Sequence, residues 1–268
     1  MNAVDIFEGN SPVILAQPHG GTFLPTEMAD DLNERGREMA DTDWHINRLY
    51  AGLLPEATVV EAKFSRYLID ANRDPSGSSL YPGQNTTELC PTVDFEGRPI
   101  YQQGVLHDVE PDANEIETRN KNYHAVYHAA LAEQIERVRK KHGVVLLFDC
   151  HSIRSCLPFL FEGELPDFNL GTNNTSTCDP KIEDAALEIC AGADGYSSVL
   201  NERFKGGWTT RHYGKPEKGI HAIQLELVQR TYMDEFAPWT FREERASKVQ
   251  IQLKKLLSSL EKLITTLT

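Results

Sequence analysis

Three features of the sequence predict an α/β fold with a mostly parallel sheet. The first is residues 144–148, an uninterrupted apolar run after Gly143, which is typical of a strand buried on both faces of a parallel sheet. The second is a pair of shorter strand-like runs of apolar and β-branched side chains, residues 13–17 and 58–62. The third is residues 115–142, whose apolar positions recur at helical spacing and which lead directly into the central run.

The other elements are predicted from their period and from the signals at their ends. They are a helix that begins near Thr42 or Asp43, a helix from Asp179-Pro180 to about Ala191, a strand over residues 197–201, an alternating strand over 220–227 and a helix over 241–267. Residues 204–214, rich in Gly and aromatic side chains, are predicted to be a loop. We expect a single catalytic domain over residues 1–268, with long active-site loops near 75–114 and 155–178, where no period is visible.

The composition excludes several classes of function. A net charge of −13 leaves no excess of basic side chains to neutralise a phosphate backbone, so nucleic acid is not an expected partner. No apolar stretch approaches the roughly 20 residues that a membrane span needs, so no membrane is expected either. The first residues lack the basic and apolar regions of a secretory signal, and the five Cys form no Cys-x-x-Cys pair. Both observations favour a cytoplasmic protein with reduced thiols.

Polar side chains follow or interrupt the predicted strands. His19 follows residues 13–17, and Asp149 and His151 follow the central run. The carboxyl ends of parallel strands lie at one edge of a sheet, and ligands bind there in open α/β folds. Glu226 lies within the alternating strand, where a carboxylate must pair, bind a metal ion or have an altered pKa.

These side chains suit metal-assisted hydrolysis. Two His and one carboxylate are a ligand set of zinc hydrolases, and a further carboxylate such as Glu226 can act as the general base. Asp41 or Asp43 could supply the ligand, although either could instead cap the following helix. No strict zinc signature is present, because His-Glu-x-x-His is absent and the position three after His19 is Thr22.

Seven short motifs, in order along the chain, point to a known family. They are residues 18–21 (Pro-His-Gly-Gly), 41–44 (Asp-Thr-Asp-Trp), 65–73 (Ser-Arg-Tyr-Leu-Ile-Asp-Ala-Asn-Arg), 81–84 (Tyr-Pro-Gly-Gln), 149–154 (Asp-Cys-His-Ser-Ile-Arg), 204–214 (Phe-Lys-Gly-Gly-Trp-Thr-Thr-Arg-His-Tyr-Gly) and 222–227 (Ala-Ile-Gln-Leu-Glu-Leu). From about residue 10 to residue 240, the chain resembles the N-formylglutamate amidohydrolase family. That family hydrolyses N-formyl-L-glutamate to formate and L-glutamate, the last step of one route of histidine degradation. The resemblance implies a three-layer α/β/α fold with a mixed, mostly parallel central sheet, similar to that of the zinc carboxypeptidase and aspartoacylase group.

The resemblance also implies roles for individual residues. One zinc ion would be bound by His19, Asp43 and His151, with Asp41 as the competing carboxylate. Glu226 resembles the general base of the related enzymes, and Arg66 resembles the Arg that polarises the developing oxyanion. The remaining residues would bind a dianionic substrate, N-formylglutamate, through its carboxylates; they are Asn72, Arg73, Arg154 and Arg211.

Three other functions fit parts of the same pattern. The first is a metal-dependent deacylase for another N-acyl acidic amino acid, because the loops that would set the size of the pocket are not readable from sequence. The second is a thiol hydrolase with Cys150 as nucleophile, although in a strand Cys150 and His151 would point to opposite faces. The third is a non-catalytic protein that binds acidic amino acids through the Arg cluster and has no need of Glu226 as a base.

Overall fold

Seven strands form one mixed sheet in a computed structural model that describes residues 2–102 and 111–267. The order across the sheet is β1-β3-β2-β4-β7-β5-β6. The strands are β1 (Val4–Phe7), β2 (Val13–Gln17), β3 (Thr58–Ala62), β4 (Val145–Ile153), β5 (Phe168–Gly171), β6 (Ser198–Leu200) and β7 (Ile220–Val228). The four central strands, β3, β2, β4 and β7, are parallel to one another, whereas β1 and β5 run antiparallel to their neighbours β3 and β7.

Helices cover both faces of this sheet. They are α1 (Thr26–Asp31), α2 (Glu34–Glu38), α3 (Ile46–Tyr50), α4 (Ala113–Arg119), α5 (Ala125–His142), α6 (Pro180–Ala191), α7 (Trp208–Tyr213) and α8 (Glu243–Ile264). One π-helical turn, Asn120–His124, joins α4 to α5, and two short 3₁₀ helices occupy Pro216–Lys218 and Gln229–Thr231. The apolar sides of α3, α6 and α8 pack in one core cluster, and that of α5 packs in another on the opposite face. The predicted α/β architecture with a mixed, mostly parallel sheet is therefore confirmed.

Alternation along the strands explains why there are two core clusters. In β4, Leu146 and Phe148 belong to the cluster beneath α8, whereas Val145 and Leu147 belong to the cluster beneath α5. Every residue of β4 is buried, as expected for a central parallel strand covered by helices on both faces. The continuous apolar run in the sequence is the signature of this double burial.

Most predicted elements are confirmed, and several differ in ways that have a physical reason. The central strand does not end at Phe148 but continues to Ile153, because it pairs with β7 over nine residues. Asp149 and His151 are therefore strand residues rather than residues released beyond a strand end. The helix expected near Thr42 or Asp43 begins only at Ile46 and is five residues long, because the backbone of His45 is left-handed, with φ of 62°, and cannot belong to an α-helix.

Some elements are not apparent from the sequence. Strands β1 and β5 are four residues each, too short to show a period, and β5 lies within the predicted loop 155–178. Residues 204–214, predicted to be a loop, contain α7. In the predicted loop 75–114, residues 75–102 form no named helix or strand and 113–114 belong to α4, while residues 103–110 lie outside the described part of the chain.

The connections of β2 determine where a ligand can bind. The chain leaves β2 for β3 on one side, whereas β4 lies on the other side of β2. Such a reversal of strand order opens a crevice at the carboxyl ends of the two parallel strands. His19, two residues beyond β2, and His151, near the end of β4, stand at this crevice. In residues 2–102 and 111–267, we find no helix with the length and apolar content needed to cross a lipid bilayer.

Candidate active site

The two histidines at the crevice face one another through equivalent nitrogens. The Nδ1 atoms of His19 and His151 are 3.1 Å apart, and both side chains are almost fully buried. Two nitrogens bound tetrahedrally to one zinc ion at the usual bond length would be roughly 3.3 Å apart. The observed separation therefore suits two ligands of a single ion.

Carboxylates contact the opposite nitrogen of each ring. His19 Nε2 donates a hydrogen bond to Asp70 Oδ1 at 2.7 Å, and His151 Nε2 lies 3.1 Å from Asp149 Oδ1. In His19, a proton held on Nε2 leaves the lone pair on Nδ1, and this arrangement orients metal-binding histidines in many proteins. Burial, followed by the charge of Arg66, lowers the pKa of His19 to about 4, so this ring is neutral near pH 7.

The carboxylate of Asp43 completes a cluster with the two rings. Its Oδ2 lies 3.5 Å from His151 Nδ1 and 3.9 Å from His19 Nδ1, and it accepts a hydrogen bond from the backbone N–H of Ser152. Its Oδ1 is buried, with no hydrogen-bond partner among the described residues. One ligand atom from each of His19, Asp43 and His151 lies within 4.8 Å of the others, so the three could hold a metal ion. An unsatisfied buried carboxylate oxygen is costly, and a cation at this point would remove the cost.

The neighbouring carboxylate, Asp41, has other partners. Its Oδ1 pairs with Arg154 at 3.0 Å, and its Oδ2 accepts hydrogen bonds from the Tyr67 hydroxyl at 3.0 Å and the backbone N–H of Phe95 at 2.8 Å. Asp41 thus links three segments of the chain and does not join the cluster around the two rings. The geometry favours Asp43 over Asp41 as the carboxylate ligand.

Glu226 stands beside His151 because their strands pair in register. His151 and Glu226 are partners across the parallel pair β4–β7, and their side chains point to the same face of the sheet. The Glu226 carboxyl is 8% exposed and accepts a hydrogen bond from Gln224 Nε2 at 3.2 Å. Burial raises the pKa of Glu226 to about 7. A carboxyl with such a pKa can both accept and return a proton at neutral pH.

Arg66 and Asn72 complete the wall around the rings. The Arg66 guanidinium contacts His19 Nδ1, donates to the backbone carbonyl of Asp41 at 3.0 Å and lies over the ring of Phe95, 4.7 Å from its centroid. Asn72 Nδ2 lies 3.1 Å from His151 Nε2, and Asn72 Oδ1 accepts a hydrogen bond from the backbone N–H of Thr209 at 2.8 Å. This second contact fixes Asn72 to the first turn of α7.

The two rings and Glu226 border a cavity of about 370 Å³. The polar residues that surround its inner end are His19, Arg66, Asn72, Arg73, His151, Gln224 and Glu226. Its other walls come from Asp74 and residues 77–84 and 86–89 of the long loop, and from Phe95, Ile153, Leu160, Arg203, Phe204 and Gly207. The cavity is large enough for a small amino-acid derivative, and it holds both polar and apolar surface.

Arg154 and Arg211 do not line this cavity among the described residues. Arg154 pairs with Asp41 and with Glu96, at 3.0 and 2.7 Å. Arg211 donates to the carbonyl of Gly206 at 2.8 Å and lies over the ring of Tyr81. Tyr81 is part of the cavity wall, so Arg211 contacts a residue of the wall without itself lining the cavity.

Cys150 is poorly placed to act as a nucleophile. It is fully buried and belongs to the core cluster beneath α8, on the face of β4 opposite to His151. Burial and the neighbouring charge of Asp149 raise the pKa of the Cys150 thiol well above its usual value, and a thiol is a weak nucleophile. The arrangement therefore does not favour the thiol alternative.

Three residues that stand at the candidate site are not predicted from the sequence. Asp70 and Gln224 lie within two of the quoted motifs, but their partners, His19 and Glu226, are identified only by three-dimensional contact. Arg203 lies one position before the motif at 204–214 and lines the cavity. A charged residue next to a Gly-rich motif was the available signal.

Comparisons with known proteins agree with one another. Residues 11–233 match the family described as N-formylglutamate amidohydrolase. The chain is 46% identical over 254 residues to the N-formylglutamate deformylase of Pseudomonas putida, and the match covers 94% of this chain and 93% of that protein. The N-formylglutamate deformylase of Pseudomonas aeruginosa is 45% identical over the same shares of the two chains.

Two solved structures share the fold. One is an N-formylglutamate amidohydrolase from Ralstonia eutropha JMP134, with a TM-score of 0.76 and 25% identity, covering 98% of both chains. The other is a gene product of Agrobacterium tumefaciens, with a TM-score of 0.72 over 98% of this chain and 96% of that chain. At 19% identity, this second likeness bears on the fold alone.

Proposed function

The chain belongs to the N-formylglutamate amidohydrolase family, and we propose that it hydrolyses N-formyl-L-glutamate to formate and L-glutamate with a divalent metal ion, zinc, at His19, Asp43 and His151. The observation that carries this proposal is the convergence of two Nδ1 atoms, 3.1 Å apart, on the Asp43 carboxylate beside Glu226. Such a set suits hydrolysis, whereas simple binding of an amino acid needs no general base.

The residues present fit a zinc ion. Imidazole nitrogens and a carboxylate are ligands that zinc prefers, and three protein ligands leave a position for water or substrate. The buried Asp43 Oδ1 has no hydrogen-bond partner among the described residues, and a bound cation would satisfy it. A zinc ion held there would lower the pKa of a coordinated water to about 7 and polarise the formyl carbonyl.

Glu226 serves as general base and then as general acid. Its carboxylate accepts a proton from the water that attacks the formyl carbon, and the resulting carboxylic acid donates that proton to the nitrogen of the departing glutamate. A pKa of about 7, raised by burial, suits both steps near neutral pH. Gln224 holds the carboxyl from the adjacent position on the same face of β7.

Arg66 and the Asn72–Arg73 pair act on the charges of the substrate. Arg66 is 6% exposed, so its guanidinium acts in a poorly hydrated environment, where a hydrogen bond to the developing oxyanion is strong. Asn72 and Arg73 line the cavity next to His151 and bind the carboxylate closest to the scissile amide, the α-carboxylate. Arg154 and Arg211, expected from the sequence to bind substrate, lie outside the described cavity wall, so we assign them no substrate contact.

The setting is proposed to be the cytoplasm. All five Cys are free thiols, four of them buried, as is usual for proteins of a reducing compartment. Histidine degradation, which supplies N-formylglutamate in the route described for the family, is a metabolic process that fits this setting.

Formate release tests the proposal directly. The purified, zinc-loaded protein is assayed with N-formyl-, N-acetyl- and N-succinyl-L-glutamate. It should release formate rapidly from N-formyl-L-glutamate and should not rapidly release acetate or succinate from the other two substrates. Chelation should abolish the activity, and added zinc should restore it, with close to one metal ion bound per chain. No formate release by the zinc-loaded protein would refute the proposed activity, and rapid release from another N-acyl glutamate would identify the sibling deacylase instead.

Glu226→Gln isolates the general base. It should reduce kcat by about 10²- to 10⁴-fold, because the amide cannot accept the proton, while metal content stays unchanged. Glu188→Gln is a matched control, since Glu188 is exposed on α6, a helix that contributes no residue to the described cavity wall. Near-normal turnover of Glu226→Gln would exclude this role for Glu226.

A further inference from the structure

Arg203 lines the cavity but has no role in the reaction proposed above. It stands there together with Arg73, Leu160 and Phe204. Within residues 2–102 and 111–267, Arg203 has no carboxylate in ion-pair distance, whereas Arg73 Nη1 lies 3.4 Å from Asp70 Oδ2. Arg203 is thus a positive charge on the cavity wall that the described part of the protein does not neutralise.

The Arg203 side chain is nevertheless held in a fixed orientation. Its Nε donates to the carbonyl of Leu160 at 2.9 Å, and one Nη2 proton goes to the carbonyl of Asn85 at 3.2 Å. The guanidinium also lies over the rings of Tyr81 and Phe204, 5.6 and 5.2 Å from their centroids. Contacts with aromatic faces and carbonyls orient a guanidinium without cancelling its charge.

Unused donors remain on Arg203. A guanidinium has five N–H groups, and the two hydrogen bonds above leave both protons of Nη1 and one of Nη2 without a partner among the described residues. Arg73 has fewer spare donors, because its Nε donates to Thr87, its Nη2 to Thr86 and Thr87, and its Nη1 to Asn72. One Nη1 proton of Arg73 remains without a hydrogen bond among the described residues, which allows a single hydrogen bond to the α-carboxylate. The two nitrogens of Arg203 with protons to spare match the geometry of a carboxylate, which an Arg binds through two parallel hydrogen bonds.

The charges around the cavity also favour an anionic ligand. Burial lowers the pKa of Arg203, the nearby Arg73 lowers it further, and Tyr81 and Glu226 oppose this change. Two guanidinium groups that repel one another across a cavity are stabilised when a ligand brings two negative charges between them. Leu160 and Phe204 border the same side of the cavity and offer apolar surface to a short methylene chain.

We propose that Arg203 is the residue that determines specificity for the second carboxylate of the substrate, the γ-carboxylate of N-formyl-L-glutamate. This inference rests on the proposed function. The α-carboxylate is attached to the carbon that bears the scissile amide, so it belongs to Asn72, which contacts His151, and to the next residue, Arg73. The hydrogen-bond partners of Arg203, Leu160 and Asn85, are not part of the cluster around His151, which suits the more distant γ-carboxylate.

The test compares N-formyl-L-glutamate with N-formyl-L-glutamine, which has the same shape but no charge on its side chain. In Arg203→Gln, kcat/KM for N-formyl-L-glutamate should fall about 10- to 100-fold, mostly through KM, because a charge-assisted pair is lost. The value for N-formyl-L-glutamine should change by less than about threefold, so that the preference of the enzyme for the diacid collapses. Arg203→Lys keeps the charge but not the two parallel hydrogen bonds, so it should show an intermediate preference.

Arg37→Gln is the matched control. Arg37 also donates to two backbone carbonyls, those of Ala29 and Asp30, but it is exposed on α2 and lies outside the cavity. It should keep the wild-type preference. The inference would be overturned if both Arg203→Gln and Arg203→Lys kept the wild-type preference for the diacid. It would also be overturned if Arg203→Gln lowered kcat/KM equally for the two substrates, or if Arg211→Gln, and not Arg203→Gln, abolished the preference.

These outcomes are separate from a failure of the proposed function. If the wild-type enzyme released no formate from N-formyl-L-glutamate, the activity itself would be wrong. If it released formate and Arg203→Gln kept the preference for the diacid, only the assignment of Arg203 would be wrong. Should Arg203→Gln fail to fold, the Arg203→Lys comparison alone decides, because an unchanged preference there would exclude two parallel hydrogen bonds to the γ-carboxylate.

Discussion

The buried His128 should make the stability of this protein fall steeply in mild acid. His128 lies on α5, is 8% exposed, and donates from Nε2 to the carbonyl of Ala71 at 2.8 Å, next to Asn72. Its Nδ1 lies 3.1 Å from the Tyr213 hydroxyl oxygen, and the single proton of that hydroxyl can go to Nδ1 or to the backbone carbonyl of His128, which is also 3.1 Å away. Burial, followed by the nearby His124, lowers the pKa of His128 from 6.5 to about 3. The neutral ring therefore helps to hold the segment that bears the proposed substrate-binding pair.

The sign and size of the effect follow from proton linkage. An unfolded chain protonates His128 below its ordinary pKa of 6.5, whereas the folded protein leaves the ring neutral down to a pH of about 3. The unfolded state therefore binds more protons across this interval, and the free energy of unfolding falls as the pH falls, by up to about 1.4 kcal/mol per pH unit. From about pH 7 to about pH 5, the contribution of His128 amounts to a loss of about 2 kcal/mol.

Urea unfolding of the wild type and of His128→Gln at the two pH values measures this contribution. Gln can still donate to the Ala71 carbonyl but does not titrate. His128→Gln should be the less stable protein at neutral pH, and the stability difference should shrink by about 2 kcal/mol on going to about pH 5. Titration of the other groups, including the proposed metal ligands, is common to both proteins and cancels in this comparison. Parallel loss of stability in the two proteins would refute the reasoning.

Three further changes test how the site is held together. Asp70→Asn should weaken metal binding about 10- to 100-fold in a competition assay with a chelator, because His19 Nε2 loses its charged acceptor. Full metal affinity in this variant would show that Asp70 does not orient the His19 ring. Arg73→Ala should chiefly raise KM for N-formyl-L-glutamate, and an unchanged KM would remove Arg73 from the substrate pocket. Gly207→Ala should lower kcat/KM at least about tenfold, because a Cβ there would clash with the side-chain amide of Asn72. Wild-type kinetics would mean that Asn72 can move without consequence.

Much of the sheet could be predicted because the residues of several strands indicate a strand by themselves. Residues 13–17 and 58–62 have the same bounds in the structure as in the prediction. Each is a short run of apolar or β-branched side chains, which favours a strand without reference to any distant part of the chain. Strand β5, with the sequence Phe-Asn-Leu-Gly, offers only two apolar residues, and it is a strand because β7 and β6 pair with it on either side. Its partners in β7, such as Leu227 opposite Phe168, lie far along the chain, and no local window contains them.

The site could be predicted in part. The sequence predicted His19, His151 and Glu226 as site residues because each lies on or just after a predicted strand, and the structure brings all three to one cavity. The contact between Asp70 and His19 was not predicted, because the two residues are 51 positions apart in the sequence. Arg154 was expected near the substrate, but its guanidinium is bound by Asp41 and Glu96, and a lone Arg in a sequence does not reveal its partner.

The sequence by itself determined the kinds of side chain available and the strands that bear them. Alternation along β4 and β7 already requires His151 and Glu226 to project from one face of their own strands, because side chains in a strand alternate with a period of two. Only the tertiary structure decided which carboxylate meets the two rings, which nitrogens of the two rings face one another, and which guanidinium on the cavity wall has no carboxylate partner among the residues it describes. These properties depend on distances of roughly 3 to 4 Å between residues far apart in the chain, and such distances are set by the packing of the whole sheet and its helices.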